Sequence, residues 1–358
     1  MNSGKATVWI LVLLVILALG AGFAYTHYFR IPTNVAYVTE EDGGISVIDL
    51  DKLEVVKRIH PQDVAPRGEG ITFDGKYLVT ADKDTADAAV IDTRQMKVVR
   101  KVHLGDNPEF VKINRSGADF YISYEPGSTA GPPKESAIGD EDDDENEPPA
   151  QIMTLNAQNW TTGQSFVAGK ETEGLEFSPD GKDLIVANEA ANTLGIYDVG
   201  SGKLLREIDL ASYGKRPRGV KSSPLGNGYA VTMEGSGTLL TLDPNFNVVR
   251  TTQTSAKPYG LAFDRDGKRI FVAAAAARKL QVFTADTLQQ IGEAPLGQRC
   301  WHFTFTPDDS KLLFACGRSN NVYVLDAKTY QQIKVIGGFQ TPWGIVTYPR
   351  SYGSLGLP

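Results

Sequence analysis

Four histidines and two cysteines are all that 358 residues offer for soft metal ligation. His60, His103 and His302 stand far apart, and Cys300 and Cys316 lack the CxxC spacing of a metal or redox pair. No GxSxG elbow, HExxH helix or Walker loop occurs, which removes the sequence signs of an α/β-hydrolase, a zinc peptidase and a P-loop nucleotide hydrolase. No cysteine precedes Cys300, so a lipid-anchored lipoprotein is excluded. Long-range charge is also missing. The net charge is −7, but Glu125 to Ala150 alone holds nine acidic residues and one lysine, and the rest of the chain is at +1. A nearly neutral body gives no field for attracting nucleic acid or an anionic surface.

What the chain has is a repeat. Glu171 to Leu210 reads as four short strands: GLEF, DLIVAN, NTLGIYDV and KLLREIDL. Pro179-Asp180-Gly181 and Gly200-Ser201-Gly202 are the turn signals between them. Each run has strand length, and no window long enough for a helix separates them. The unit recurs from Glu69, Glu109, Arg218, Tyr259 and Trp301, giving six complete units. Four strands recurring every 40–45 or so residues imply a propeller. The ends supply a seventh unit. Val35 to Ile59 has strands two, three and four; Thr341 to Tyr348 is a first strand with nothing after it. Joining them closes the ring and leaves no long open edge. The expected fold is therefore an all-β, seven-bladed β-propeller closed by the C-terminal strand, over residues 31–350, with 351–358 as a tail.

AYVTE at Ala36, VIDL at Val47, EFSPDGK at Glu176, IVAN at Ile185 and VLDAKTY at Val324 resemble the YVTN-repeat β-propellers. The stretch from Gly297 through TPWGIV is similar to the subfamily associated with PQQ-dependent alcohol catabolism in bacteria. The repeat resemblance covers about Val35 to Tyr348, and the subfamily resemblance rests mainly on the last quarter. It implies a bacterial cell-envelope protein and no established reaction. The N-terminal apolar segment and the acidic insertion depart from the family pattern.

Val8 to Tyr25 is an uncharged apolar run preceded by Lys5. Its length favours an uncleaved anchor over a signal peptide, whose apolar core is usually about 7–15 residues. Both readings export the ring. The expectation is a single-pass inner-membrane protein over residues 1–30, with the propeller in the periplasm. Glu125 to Ala150 is rich in Pro, Gly, Ser and acid, and it interrupts one unit between its second and third strands. It reads as a disordered acidic loop at 126–150, or as a lure for a basic partner. It lacks the Gly and Glu spacing of an EF-hand. Cys300 and Cys316 bracket a hairpin, so a disulfide and two buried thiols both remain open.

Chemistry must come from the ring. The loop entering each innermost strand lies at the mouth of a propeller's channel. Aligning the units places Arg67, Glu69, Glu109, Glu173, Arg218, Tyr259, Trp301, His302 and Trp343 there. A plain turn favours Gly, Asn, Asp and Ser. Converging charges and aromatics suggest a ligand site instead, or a structural network of ion pairs and ring packing. No catalytic residue, metal ligand or cofactor is assigned. Three functions compete. One is a membrane-tethered binding or scaffold protein for a periplasmic protein or small ligand, accessory to an oxidation pathway. The second is a cofactor propeller of the d1-haem kind, with His302 as the convenient axial ligand. PQQ is disfavoured, because the tryptophans at 9, 160, 301 and 343 do not form docking repeats. The third is a propeller lactonase using Glu69, Glu173 and Arg218.

Overall fold

The computed structural model describes residues 33–59, 65–126 and 148–356. Seven four-stranded antiparallel sheets form a seven-bladed β-propeller. The inner strands are Pro342–Tyr348, Pro66–Ile71, Pro108–Ile113, Thr172–Phe177, Pro217–Ser222, Pro258–Phe263 and Cys300–Phe305, in blades one to seven. Blade one is the composite: Pro342–Tyr348 pairs with Val35–Glu40, which is followed by Gly44–Asp49 and Glu54–Ile59. The closure expected from the two incomplete ends is thus present.

Burial falls from the channel outward. In blade two the inner strand is buried throughout, whereas the outer strand Lys97–His103 is mostly exposed. The core lies between blades. One cluster joins Ile185 and Leu194 of blade four to Val220, Val231 and Leu240 of blade five. Another joins Leu313, Val322 and Val324 of blade seven to Ala36, Ile48 and Ile345 of blade one, so the closing strand is held by apolar packing as well as by its ladder. The hairpins joining third and fourth strands repeat one design. In blade two, Asp92 Oδ1 accepts from Arg94 N and Gln95 N at 2.9 Å each, and Met96 closes the turn at φ +50°.

Cys300 and Cys316 are directly opposed on neighbouring strands and are bonded to each other. The alternative of two buried thiols is set aside. The insertion falls between the second and third strands of blade three, Asp119–Tyr124 and Gln151–Asn156. Its body, the proposed anchor and His60 lie outside the described residues. Among the described residues no helix is long and apolar enough to cross a membrane.

Ser351–Gly356 is not a tail outside the ring. Gly353 bridges to Thr304 of the seventh inner strand, and Ser351 and Leu355 are buried. The chain turns back after blade one and enters the channel.

Candidate functional site

All seven inner strands begin at one end of the channel. Their second residues form a ring: Trp343, Arg67, Glu109, Glu173, Arg218, Tyr259 and Trp301. Each strand then carries a bulge. The register with the next strand shifts between Pro66 and Glu69, Pro108 and Val111, Thr172 and Gly174, and Pro217 and Val220. Glycine follows the ring residue in several blades because the next blade's backbone fills the space of a side chain. A Cβ on Gly68 would lie 2.1 Å from Glu109 O, and one on Gly174 would lie 2.2 Å from Arg218 O.

A second ring lies outside the first, and the alignment of strand entries missed it. The residue after each second strand donates its backbone N–H to the loop before the inner strand. Glu189 N donates to Glu171 O at 2.8 Å, Glu234 N to Arg216 O at 2.7 Å and Glu41 N to Thr341 O at 3.0 Å. This ring is Glu41, Lys83, Glu125, Glu189, Glu234, Ala275 and Gly317. The signal was in the sequence, since an acid recurs at that repeat position in four blades.

The two rings interlock. Arg218 donates from Nη1 to Glu189 (2.6 Å) and Glu234 (2.8 Å), and from Nη2 to Glu173 (2.7 Å) and Tyr259 Oη (3.1 Å). Its guanidinium lies 4.2 Å from the centre of the Tyr259 ring. Arg216 and Lys257 back up Glu189 and Glu234 at 2.5 and 3.8 Å. Across the mouth, Arg67 Nε donates to Glu41 at 2.6 Å, and its Nη1 faces Asn107 at 3.2 Å and Glu109 at 3.6 Å. These groups are buried: the Arg67 and Arg218 side chains are 7% and 13% exposed. Burial opposes the Arg218 charge, but Glu173, Glu189 and Glu234 outweigh it and hold the guanidinium well above its ordinary range. Burial pushes Glu173 well above the carboxylate range and Glu189 up to about 7, against the pull of Arg218.

The remaining expected residues divide. His302, Tyr259 and Trp343 meet: the His302 ring centre is 4.4 Å from Trp343 and 5.3 Å from Tyr259. Phe110, which the sequence reading passed over, stands edge-on to His302 at 5.7 Å. Trp301 packs on Gly317, where a Cβ would lie 1.9 Å from its ring, with Arg299 5.8 Å from the ring centre. Glu69 is not a mouth residue. The bulge turns it into the contact between blades one and two, fully buried, against the backbone of Thr39 and Val346. Burial pushes its carboxyl well above the usual range.

Deeper in the channel, Lys112 and Lys221 flank Glu176. Their Nζ atoms lie 3.1 and 2.8 Å from Glu176 Oε2. Lys112 Nζ also donates to Leu355 O and Gly356 O at 3.3 and 3.1 Å, and Lys221 Nζ to Gly356 O at 2.5 Å. Burial raises the Glu176 carboxyl, but Lys112 and Lys221 outweigh it and hold the group below its ordinary value. Between this floor and the mouth is a chamber lined by Glu173, Arg218, Tyr259, Phe110, His302 and Ser354, among others. It offers about 20 Å3 to the centre of a water molecule, room for one or two waters. Three buried polar atoms of lining residues have no hydrogen-bond partner among the described residues: Glu173 Oε2, Arg218 Nε and His302 Nε2.

His302 Nδ1 lies 3.0 Å from Ser354 Oγ. That hydroxyl accepts from Phe303 N at 3.0 Å and donates to Phe303 O at 3.1 Å. Its one proton is engaged, so the network assigns the imidazole proton to Nδ1 and leaves Nε2 a bare acceptor. Burial, and then Arg218, hold His302 well below its ordinary pKa, hence neutral. Among the described residues no group of three His, Cys, Asp or Glu has metal-holding geometry.

Fold and channel define a seven-bladed β-propeller with a closed, polar central chamber. No protein-family model and no curated protein matches the chain. Solved structures do. A functionally unknown protein from Desulfotomaculum acetoxidans is 17% identical with a TM-score of 0.73, over 88% of this chain and 98% of that one. The periplasmic gluconolactonase PpgL of Pseudomonas aeruginosa is 15% identical with a TM-score of 0.68, over 88% and 99%. The dihydro-heme d1 dehydrogenase NirN is 16% identical with a TM-score of 0.63, over 89% and 76%. At these identities the likeness is one of fold.

Proposed function

We propose that this protein is a non-catalytic binding propeller that takes a small polar ligand, or a polar group of a partner, at the channel mouth. The observation that carries the reading is that Glu173 Oε2, Arg218 Nε and His302 Nε2, all of residues lining one chamber, have no hydrogen-bond partner among the described residues. Buried polar atoms are ordinarily satisfied, and three orphans facing one space leave room for a donor and an acceptor from outside. The apolar run at Val8 to Tyr25 and the YVTN-type repeats support placing the ring in the periplasm, tethered to the inner membrane and accessory to an oxidation pathway.

The fold it shares with a gluconolactonase and with a heme d1 protein keeps both alternatives in view, and local geometry speaks against each. Of the three residues a lactonase would use, Glu173 and Arg218 line the chamber, but Glu69 is buried between blades one and two and is not among its lining residues. His302 is walled in by Phe110, Tyr259 and Trp343, and the chamber is far too small for a macrocycle. The test uses the full chain with gluconate and glucono-δ-lactone. Either compound should raise the melting temperature, the shift should vanish in Arg218→Ala, and the lactone should hydrolyse no faster than in buffer. Catalysed hydrolysis lost in Glu173→Gln would replace this reading with a lactonase. A Soret band acquired on incubation with haem and lost in His302→Ala would replace it with a cofactor protein.

A further inference from the structure

The floor of the channel holds the side chains of two lysines and one glutamate. Lys112, Lys221 and Glu176 are 4%, 4% and 0% exposed, so water contributes little to balancing them. Buried charges require partners of opposite sign or strong hydrogen bonds. Among the described residues, the acceptors these lysines find besides Glu176 are backbone carbonyl oxygens of the C-terminal segment, Leu355 O and Gly356 O. A carbonyl oxygen carries a partial charge, a weaker match for an ammonium group than an ionised oxygen. The protonation balance agrees with this. Burial pushes Lys112 well below its ordinary range, Glu176 opposes that, and Lys221 adds to it.

We propose that the channel floor is a binding site for a small oxyanion, a carboxylate or a phosphate, and that Ser351–Gly356 occupies it by presenting its own carbonyl oxygens to Lys112 and Lys221. The proposal rests on the reading of the mouth and chamber as a ligand site, and it names the ligand's charge and what stands in its way. His302 is the second, independent sign. Its Nε2 is buried, without a partner among the described residues, and belongs to the wall of the same chamber. A ligand that places an anionic head on the two lysines and a hydroxyl against His302 Nε2 satisfies both ends; a hydroxy acid has that form.

The segment is held in a way that permits exchange. Its anchors are the bridge between Gly353 and Thr304, the bond from Phe305 N to Tyr352 O, hydroxyl bonds in which Ser351 donates to Phe305 O, accepts from Thr347 and meets Thr304, the bonds between Ser354 and the Phe303 backbone, the lysine bonds to Leu355 O and Gly356 O, and the buried Leu355 side chain. None is an ion pair, and each hydrogen bond between neutral groups contributes only about 0.5–1.5 kcal/mol net. An oxyanion ion-paired with two lysines competes with such anchors.

The experiment is calorimetric titration of gluconate and, separately, of inorganic phosphate. It compares the full chain with a chain ending at Arg350. The shortened chain should bind at least one of the two anions tenfold or more tightly than the full chain. Lys221→Met in the shortened chain should abolish that gain. This substitution leaves Lys112 and Glu176 as a balanced pair, so it should fold. An octapeptide of sequence SYGSLGLP added in trans should compete with the anion. If the shortened chain does not fold, Ser351→Ala with Ser354→Ala in the full-length chain takes its place, with a gain of several-fold expected. Equal binding by both chains, lost in Arg218→Ala, would overturn the floor site and leave the mouth reading intact. Binding of neither anion by either chain would overturn both. The preferred anion tells a carboxylate site from a phosphate site.

Discussion

The mouth and the floor of one channel handle buried charge in opposite ways. At the mouth, every charged partner of Arg218 but one has a second cation: Glu189 has Arg216 at 2.5 Å and Glu234 has Lys257 at 3.8 Å. Arginines of the inner ring reach acids of both rings, and losing one member leaves the others partly paired. At the floor, Glu176 stands alone between two lysines, and backbone oxygens complete their shells. A redundant network explains itself as structure. A lopsided one, closed only by a segment that could leave, asks for an anion. The floor thus adds a call for an anion to the open donor and acceptor sites of Arg218, Glu173 and His302 above it.

The sharpest way to break this contrast is at Glu176. Glu176→Gln keeps the shape and the oxygen that accepts from Phe177 N, but it leaves two buried ammonium groups facing each other. Removing one partner of a buried ion pair costs about 3–5 kcal/mol. Lys112, already pushed down, sheds part of that cost by losing its proton. We expect a melting temperature lower by roughly 10 °C, with saturating gluconate restoring part of it. A change of a degree or two, measured by calorimetry at pH 7, would show that the floor is as redundant as the mouth.

Arg218→Ala comes next, with an effect that depends on pH. The Arg218 side chain is only 13% exposed, so its loss is felt in stability as well as in binding. Glu189 has a folded-state value of about 7, above its unfolded value. A carboxyl raised in the folded state favours folding in acid, and that advantage is lost as pH rises through the folded value. Removing Arg218 raises Glu189 further, so the loss continues to higher pH than in the wild type. The gap between the two proteins should therefore be smaller at pH 6 and widen above pH 7, to about 2–3 kcal/mol at pH 8.5. Arg216 and Lys257 keep it below the cost at Glu176. Denaturant melts at the two pH values decide; a gap that does not change with pH would mean that Glu189 stays ionised throughout.

Much of this was legible in the sequence, for local reasons. Strand alternation repeats from unit to unit, Asp-Gly turns recur at Asp74, Asp180 and Asp266, and the two incomplete ends forced the closure through Thr341 to Tyr348. The inner ring followed from aligning strand entries. The misplaced residues of the inner strands share one cause, the bulge at the head of each strand. Strict alternation sends residues 67 and 69 to the same side, and so it put Glu69 beside Arg67. The bulge reverses the side after the ring residue, which turns Glu69 into the core and brings Lys112, Glu176 and Lys221 into the channel. Periodicity alone places those three between blades, where charges would be costly. The C-terminal segment was misread for a different reason. SYGSLGLP has no alternation and little apolar content, and its place depends on a channel that exists only once all seven blades have closed.

The smallest expected effect lies between the two regions, at His302. Phe replaces the imidazole in nearly the same volume, among rings that are already aromatic. His302→Phe loses the bond from Nδ1 to Ser354 Oγ, a net contribution of about 0.5–1.5 kcal/mol. Ser354 keeps both of its bonds to the Phe303 backbone, so the segment stays seated. The substitution also removes Nε2, a buried acceptor without a partner, and that relief offsets the loss. Stability should stay within about 1 kcal/mol of wild type. Ligand binding should not be spared in the same way. If a hydroxyl donates to Nε2, the phenyl ring leaves it unpaired, and affinity for gluconate in the chain ending at Arg350 should fall about tenfold, while phosphate, which needs only the floor, should bind unchanged. Equal losses for the two anions would place His302 outside the ligand's reach and confine recognition to the lysines. A large loss of stability with no change in binding would make the imidazole a structural member of the seated segment. The paired titration separates these outcomes because the two anions share the floor and differ only in what they extend toward the mouth.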